Sequence, residues 1–128
     1  MMDGIDSITG KAVLLALEAA SMRQQVISAN IANANVAGYV PLRVNFEGQL
    51  DEARRILQQQ GALDRFSPLE GVRPHVEPVS AGAGQPAKVQ LDQEMVDLAR
   101  NALHYQALLK GLSRQMGILT AAISEGKK

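Results

Sequence analysis

Apolar and small residues recur near the start of the chain at steps of three and four: Ile5, Ile8, Ala12, Leu15, Ala19, Met22, Val26 and Ala29. That spacing lays them along one stripe of an α-helix. Val13, Leu14, Leu17, Ile27 and Ile31 fall off the stripe, and between Ala12 and Tyr39 only Glu18 and Arg23 are charged. A helix apolar on several sides is poorly suited to water and expects more than one neighbour. The pattern predicts a stop at Asn35-Val36-Ala37-Gly38, with Gly38 as a left-handed cap and Pro41 behind it.

The second long pattern is more regular. Leu91, Met95, Leu98, Ala102, Tyr105, Leu109, Leu112, Met116, Leu119 and Ile123 alternate steps of four and three without a break. This is the a/d seam of a coiled coil. Asp92 reads as an N-cap, with Leu91 and Val96 set for a hydrophobic staple. Acidic Asp92, Glu94 and Asp97 stand near the start and Lys127 and Lys128 follow the end, as the helix dipole prefers. Leu103, Leu108 and Ile118 widen the apolar surface beyond the narrow seam. A helix from Leu91 to Ile123 spans roughly 50 Å at about 1.5 Å per residue. The first helix has a similar reach, so the two ends can pair along their length.

The middle follows neither pattern. Leu50, Ala53, Ile56 and Leu57 sit at helical spacing within Phe46 to Gln60, which predicts a short amphipathic helix. From Gly61 to Lys88, 8 of 28 residues are Gly or Pro, among them Pro68, Pro74, Pro78 and Pro86. That density argues against a regular helix or a central strand, and a flexible or partner-ordered loop is expected. The chain therefore divides into an N-terminal helix (1–37), a short helix with a Gly/Pro-rich region (38–88) and a C-terminal coiled-coil helix (89–128). The expected fold class is mainly α, with the terminal helices packed as a hairpin or coiled coil.

Composition sharpens this picture. With 46% hydrophobic residues in a chain of 128, a folded domain is expected. Its only aromatic residues are Tyr39, Phe46, Phe66 and Tyr105, while 18 alanines and 15 leucines supply most of the apolar surface. The 13 basic and 13 acidic side chains cancel, which removes the electrostatic footprint of a nucleic-acid binder. There is no cysteine, hence no disulfide framework, thiolate chemistry or Cys-based zinc site. His75 and Glu77 lie in the Pro-rich stretch, where the sequence offers no rigid scaffold for catalysis, and both His75 and His104, the latter in the second helix, read as ordinary surface or interface residues. Gly82-Ala83-Gly84 lacks the rest of either phosphate-binding fingerprint. No catalytic, cofactor or metal site is expected, and the protein reads as a non-enzyme. The apolar run Ala12 to Leu17 follows two acids and is cut by Glu18, so neither a cleaved signal peptide nor a membrane span is expected.

One segment is more specific. Ala29-Asn30-Ile31-Ala32-Asn33-Ala34-Asn35-Val36-Ala37-Gly38-Tyr39 resembles the ANIANADTPGY signature of bacterial flagellar rod, hook and hook-associated proteins. It departs at Asn35, Val36 and Ala37, which stand where the signature has Asp, Thr and Pro. Val89 to Met95, followed by Asn101, Tyr105-Gln106-Ala107 and Leu112-Ser113, is similar to the proximal-rod type within the flagellar basal-body rod family. The resemblance covers both termini and leaves Gly61 to Lys88 unmatched. It implies a structural subunit exported through the flagellar type III apparatus without signal cleavage and assembled into the periplasmic rod, which transmits torque from the motor ring to the hook. The implied partners are other rod subunits, further copies of the chain, the ring-to-rod adaptor and the export apparatus. Neither nucleic acid nor a direct membrane span is implied.

On this reading Leu15, Met22, Val26, Leu91, Met95, Leu98, Tyr105, Leu109, Leu112, Met116, Leu119 and Ile123 form the assembly interface. Asn33 continues the first stripe, and an amide buried there would fix helix register at some cost in stability; Asn30 shares that role. Tyr39 anchors the chain as it leaves the helix. The competing class is a coiled-coil adaptor or type III secretion chaperone that binds a partner helix without joining a rod. Burial of the ten C-terminal seam side chains falls short of the backbone entropy of ordering that helix, and the chain offers no third long helix to make up the difference, so assembly is the expected source of order. Circular dichroism of the dilute monomer should therefore show partial helix that melts with weak cooperativity and increases with concentration. A sharp, high-temperature transition in a proven monomer would count against assembly-dependent order.

Overall fold

The computed structural model describes residues 2–60, 71–82 and 87–126. Five elements follow in order: α1 (Met2–Ala32), β1 (Leu42–Asn45), α2 (Glu47–Gln60), β2 (His75–Pro78) and α3 (Leu91–Gly126). The side chains of Ile5, Ile8 and Leu57, together with Phe66, Pro68, Ala83, Gly84, Pro86, Lys127 and Lys128, lie outside what is described. The mainly helical reading holds, and both long helices and the short middle helix fall where the periodicity put them. A small sheet is added to them.

α1 and α3 run antiparallel. Asn30 near the end of α1 meets Glu94 near the start of α3, while Ala20 and Gln24 meet Asn101 further along. Ala19 and Ala20 are fully buried and lie on adjoining faces of α1. Ala19 and Leu15 face a core of Phe46, Ala53 and Val72, with Ala12, Ala16 and Leu50 at its margin. Ala20 faces α3, where its small side chain lets the helices approach closely. α1 thus has neighbours on two sides, as its many-faced apolar pattern requires.

The strand pair was not legible. β1 and β2 pair antiparallel, with Leu42 opposite Pro78, Arg43 opposite Glu77, Val44 opposite Val76 and Asn45 opposite His75. β2 therefore corrects the expectation of a loop throughout Gly61 to Lys88, and His75 and Glu77 do stand on a scaffold. The prolines are tolerated because of where they fall. The Val79 N–H donates to the Pro41 carbonyl at 2.9 Å, so by alternation Arg43 and Asn45 make the ladder bonds while Leu42 and Pro78 face outward. The N–H that Pro78 lacks is one the ladder does not use. Phe46 follows β1, and its carbonyl accepts the first bond of α2, from Leu50 N–H at 3.0 Å.

Two further differences concern helix ends. α1 stops at Ala32, short of the predicted Asn35 to Gly38 boundary, and a series of turns continues to Gly38. α3 begins at Leu91, with Gln90 O accepting from Glu94 N–H at 2.9 Å, so Asp92 lies in the first turn and not at the cap. Its charge still suits the positive end of the helix dipole. Leu91 and Val96, the expected staple, are both exposed.

Ion pairs secure the small sheet. Arg43 Nε donates to Glu77 Oε1 at 2.8 Å across the strands, and Asn45 donates to Glu77 Oε2 at 3.4 Å. The bond from Arg43 is the main reason the Glu77 carboxyl sits below its ordinary pKa. At Glu47, partial burial pushes the pKa up, but the Arg23 bond and charge, with backbone donors, outweigh it and hold the group down. Both carboxyls are therefore more acidic folded than unfolded. They add stability above the ordinary carboxylate range, and it is lost as pH falls through their lowered values. Amide protection at Arg43 and Asn45, measured by hydrogen exchange, should drop over that acid window, and Glu77→Gln should flatten part of the slope. Protection unchanged into strong acid would count against the ion pairs.

Candidate functional site

A helix that ends must find partners for its last carbonyls, and the departing chain must be turned. At the end of α1 the Asn33 side chain donates to the Ala29 carbonyl at 2.8 Å, alongside its own backbone N–H at 3.0 Å. Ala34 N–H donates to Ile31 O at 3.3 Å and Val36 N–H to Asn33 O at 3.0 Å, while Ala32 is exposed. Gly38 then adopts a φ of 79°, in the left-handed region. An added Cβ there would meet nothing within 4 Å, so the need for glycine is torsional.

Asn30 holds this corner together. Only 1% exposed, it uses all four of its hydrogen-bonding capacities. Its Oδ1 accepts from Leu42 N–H at 3.0 Å and from the Tyr39 hydroxyl at 2.9 Å. Its Nδ2 donates to Leu42 O at 2.8 Å and to both Glu94 carboxylate oxygens at 3.3 Å. One side chain therefore binds α1 to the turn, to β1 and to α3. Tyr39 does anchor the chain as it leaves the helix. Asn33, by contrast, closes its own helix, and the interhelical role expected of it belongs to Asn30.

A second amide lies one heptad further along α3. Asn101, the buried residue of that helix, donates to Ala20 O at 2.8 Å and to Gln24 Oε1 at 2.9 Å. Between the two amides, an open notch of about 500 Å³ is lined by Val26, Ile27, Leu42, Val44 and the charged ends of Arg23 and Asp97. Sequence reasoning did not assign Asn101, Gln24 or Glu94 a part in helix pairing. The available signal was Asn101 itself, an isolated amide between the apolar positions Leu98 and Ala102.

The predicted interface residues separate into three groups. Leu15 is buried in the chain's own core, which corrects its assignment to an assembly surface. Met22, Val26, Leu98 and Leu112 are half-buried, and α1 is the element packed on α3 among the described residues. Leu91, Met95, Tyr105, Leu109, Met116, Leu119 and Ile123 remain exposed, with Met95 at 56% and Met116 at 59%. The reason is geometric: the stripe of α3 that meets α1 runs through Glu94 and Asn101, roughly 50° round the helix from the mean direction of the leucine seam at about 100° per residue, and shares with that seam only its half-buried members Leu98, Ala102 and Leu112. Much of the heptad seam is thus left on an open flank.

The chain is similar to known flagellar proteins. Residues 15–39, which span the Asn30 corner, match the family model "Flagella basal body rod protein". The flagellar basal body rod protein FlgB of Aeromonas hydrophila is 31% identical over 119 residues, covering 84% of this chain and 86% of that protein. FlgB of Bacillus subtilis (strain 168) is 28% identical, with 88% and 90% covered. FlgB of Escherichia coli (strain K12) is 27% identical, with 87% and 89% covered.

The corner makes a ranked prediction. Asn30→Ala leaves Leu42 N–H and C=O and the Tyr39 hydroxyl without their buried partner and should cost about 2–4 kcal/mol. Tyr39→Phe removes one bond and should cost about 1 kcal/mol. Glu94→Gln keeps an acceptor for Asn30 and should be nearly neutral. Urea denaturation monitored by helix signal would check the order, and an Asn30→Ala chain as stable as Glu94→Gln would contradict it.

Proposed function

The chain belongs to the flagellar basal body rod protein family, as a relative of FlgB, and from that membership we propose how its helices build the rod. It is a structural subunit of the bacterial flagellar basal-body rod, and it assembles with other rod subunits. This displaces the adaptor or chaperone alternative. Among the described residues no helix is long and apolar enough to cross a membrane.

The open flank of α3 is the observation that supports a mode of assembly. A water-exposed row of Leu91, Met95, Leu109, Met116 and Ile123 on a single helix is expensive for a monomer and suits a coiled-coil partner. In this reading α1 covers one side of α3, and helices of neighbouring subunits, whether copies of this chain or related rod proteins, cover the flank. The contacts are heterologous, which lets a filament grow. In this reading α1 and α3 form the packed wall, while the small sheet and α2 stand beside it. Packed side by side, the long helices carry torque from the motor ring toward the hook. In this proposal the subunit stands at the proximal end of the rod, with the ring-to-rod adaptor and the export apparatus on one side and further rod proteins on the other.

Leu109 and Leu112 separate assembly from folding. Leu109 is on the open flank, so Leu109→Asp should leave the isolated chain folded while abolishing rod assembly and swimming. Leu112 is half-buried toward α1, and Leu112→Asp should also weaken the chain itself, because desolvating the carboxylate costs several kcal/mol. His75 bonds Gln49 at 2.9 Å on an exposed surface, and His75→Ala should leave swimming near normal. Swimming assays at matched protein levels decide: a paralysed His75→Ala strain beside motile seam variants would overturn the structural reading.

A further inference from the structure

A continuous apolar stripe attracts a partner helix without saying where it must stop. Displacing α1 against α3 by one heptad, seven residues, again sets apolar positions of α1 against Leu98, Ala102 and Leu112 of α3. Something other than leucine must choose among these registers. We propose that Asn101 is a register-determining residue of the α1–α3 pair, acting with Gln24 and the backbone of Ala20 beside the Asn30–Glu94 contact at the corner.

Three observations bear on this. Asn101 is 7% exposed and spends both hydrogens of its amide on α1, at Ala20 O and Gln24 Oε1. The position opposite it is built for an amide, since fully buried Ala20 leaves room and Gln24 supplies an acceptor. Neither neighbouring heptad of α1 offers the same pairing. Slipping one way replaces Ala20 and Gln24 by Val13 and Leu17, and slipping the other way by Ile27 and Ile31. Each puts a branched side chain where alanine gave access and an apolar group where the acceptor stood. Both slips separate Glu94 from Asn30, and the second also carries the first turns of α3 past Ala32, where α1 ends. An amide buried without its partner penalises both alternatives. The native register is therefore selected by the cost of the wrong ones.

This choice matters beyond one subunit. On the assembly reading above, the α1–α3 register fixes where the open flank of α3 stands relative to the corner, and hence how a neighbour is placed. The register itself is a property of the single chain and is testable there.

The absence of cysteine gives a clean experiment. Spin labels on cysteines introduced at exposed Ser28 and Lys110 report the axial offset of the two helices by pulsed electron paramagnetic resonance. The full chain is measured in sucrose, which strengthens apolar burial. The Asn101 wild-type background should give one narrow distance. Asn101→Leu should keep or raise helix content and melting temperature, yet raise the slipped population roughly tenfold, seen as a second distance displaced by up to about 10 Å. Gln24→Leu, which spares Asn101 but removes an acceptor, should show the same second population. A single unchanged distance in either variant overturns the proposal, as do several distances in the wild-type background. Loss of the fold in Asn101→Leu overturns it too, because the amide would then be needed for stability and not for choice. Swimming of Asn101→Leu at matched protein level should fall; intact swimming beside a split distance distribution would tell against the assembly reading and leave the register assignment standing.

Discussion

The Asn30 amide is the constraint on which the remaining geometry depends. A long helix closes with spare carbonyls, and the chain leaving it must become a strand whose outer N–H and C=O also need partners. Asn30 answers both needs by presenting, from within α1, a donor and an acceptor spaced to match those of Leu42. The amide thus pairs with β1 much as another strand would. Because its second hydrogen reaches Glu94, the same group also sets the start of α3 against the end of α1. Replacing it by an apolar residue of similar size would leave several buried polar groups unmatched at once.

What the sequence makes legible follows from how far a physical signal extends. The two long helices are written in many turns of period-3.6 and period-3.5 spacing, and α2 in four positions of an amphipathic face. The strands are four residues each, too short for alternation to stand out, and β2 is flanked by Pro74 and includes Pro78. Only the register shows that Pro78 occupies an outward position where its missing N–H costs nothing. The Asn30 corner was visible as a motif, with Tyr39 and Gly38 in place, although its bonding to Glu94 needs the antiparallel packing of two distant helices. Helix orientation decides the rest: Leu15 and Leu109 look alike in a periodic pattern, yet one lies in the core and the other on an open flank.

Polar and apolar residues divide the labour along α3. Leucine and methionine make helix contact favourable over a wide strip without specifying its details. Glu94 and Asn101, one heptad apart, reach α1 through hydrogen bonds with defined geometry. Apolar surface can then remain on the far flank without the helix rolling to bury it against α1, since rolling would break both sets of bonds. A surface that water disfavours is held available by two amides.

The closed edge of the hairpin has a consequence of its own. β1 presents Leu42 and Val44 outward; Asn30 occupies both backbone groups of Leu42, and Arg23 Nη2 reaches Val44 O at 3.5 Å. At β2 the outward Pro78 has no N–H to offer. A further strand laid along β1 would find both backbone groups of Leu42 and the carbonyl of Val44 already taken, and one laid along β2 would lack a donor at Pro78. A protein made to polymerise must not do so in the wrong way while it waits. Here the sheet offers a stranger fewer free groups at Leu42, Val44 and Pro78, which disfavours growth through strand pairing.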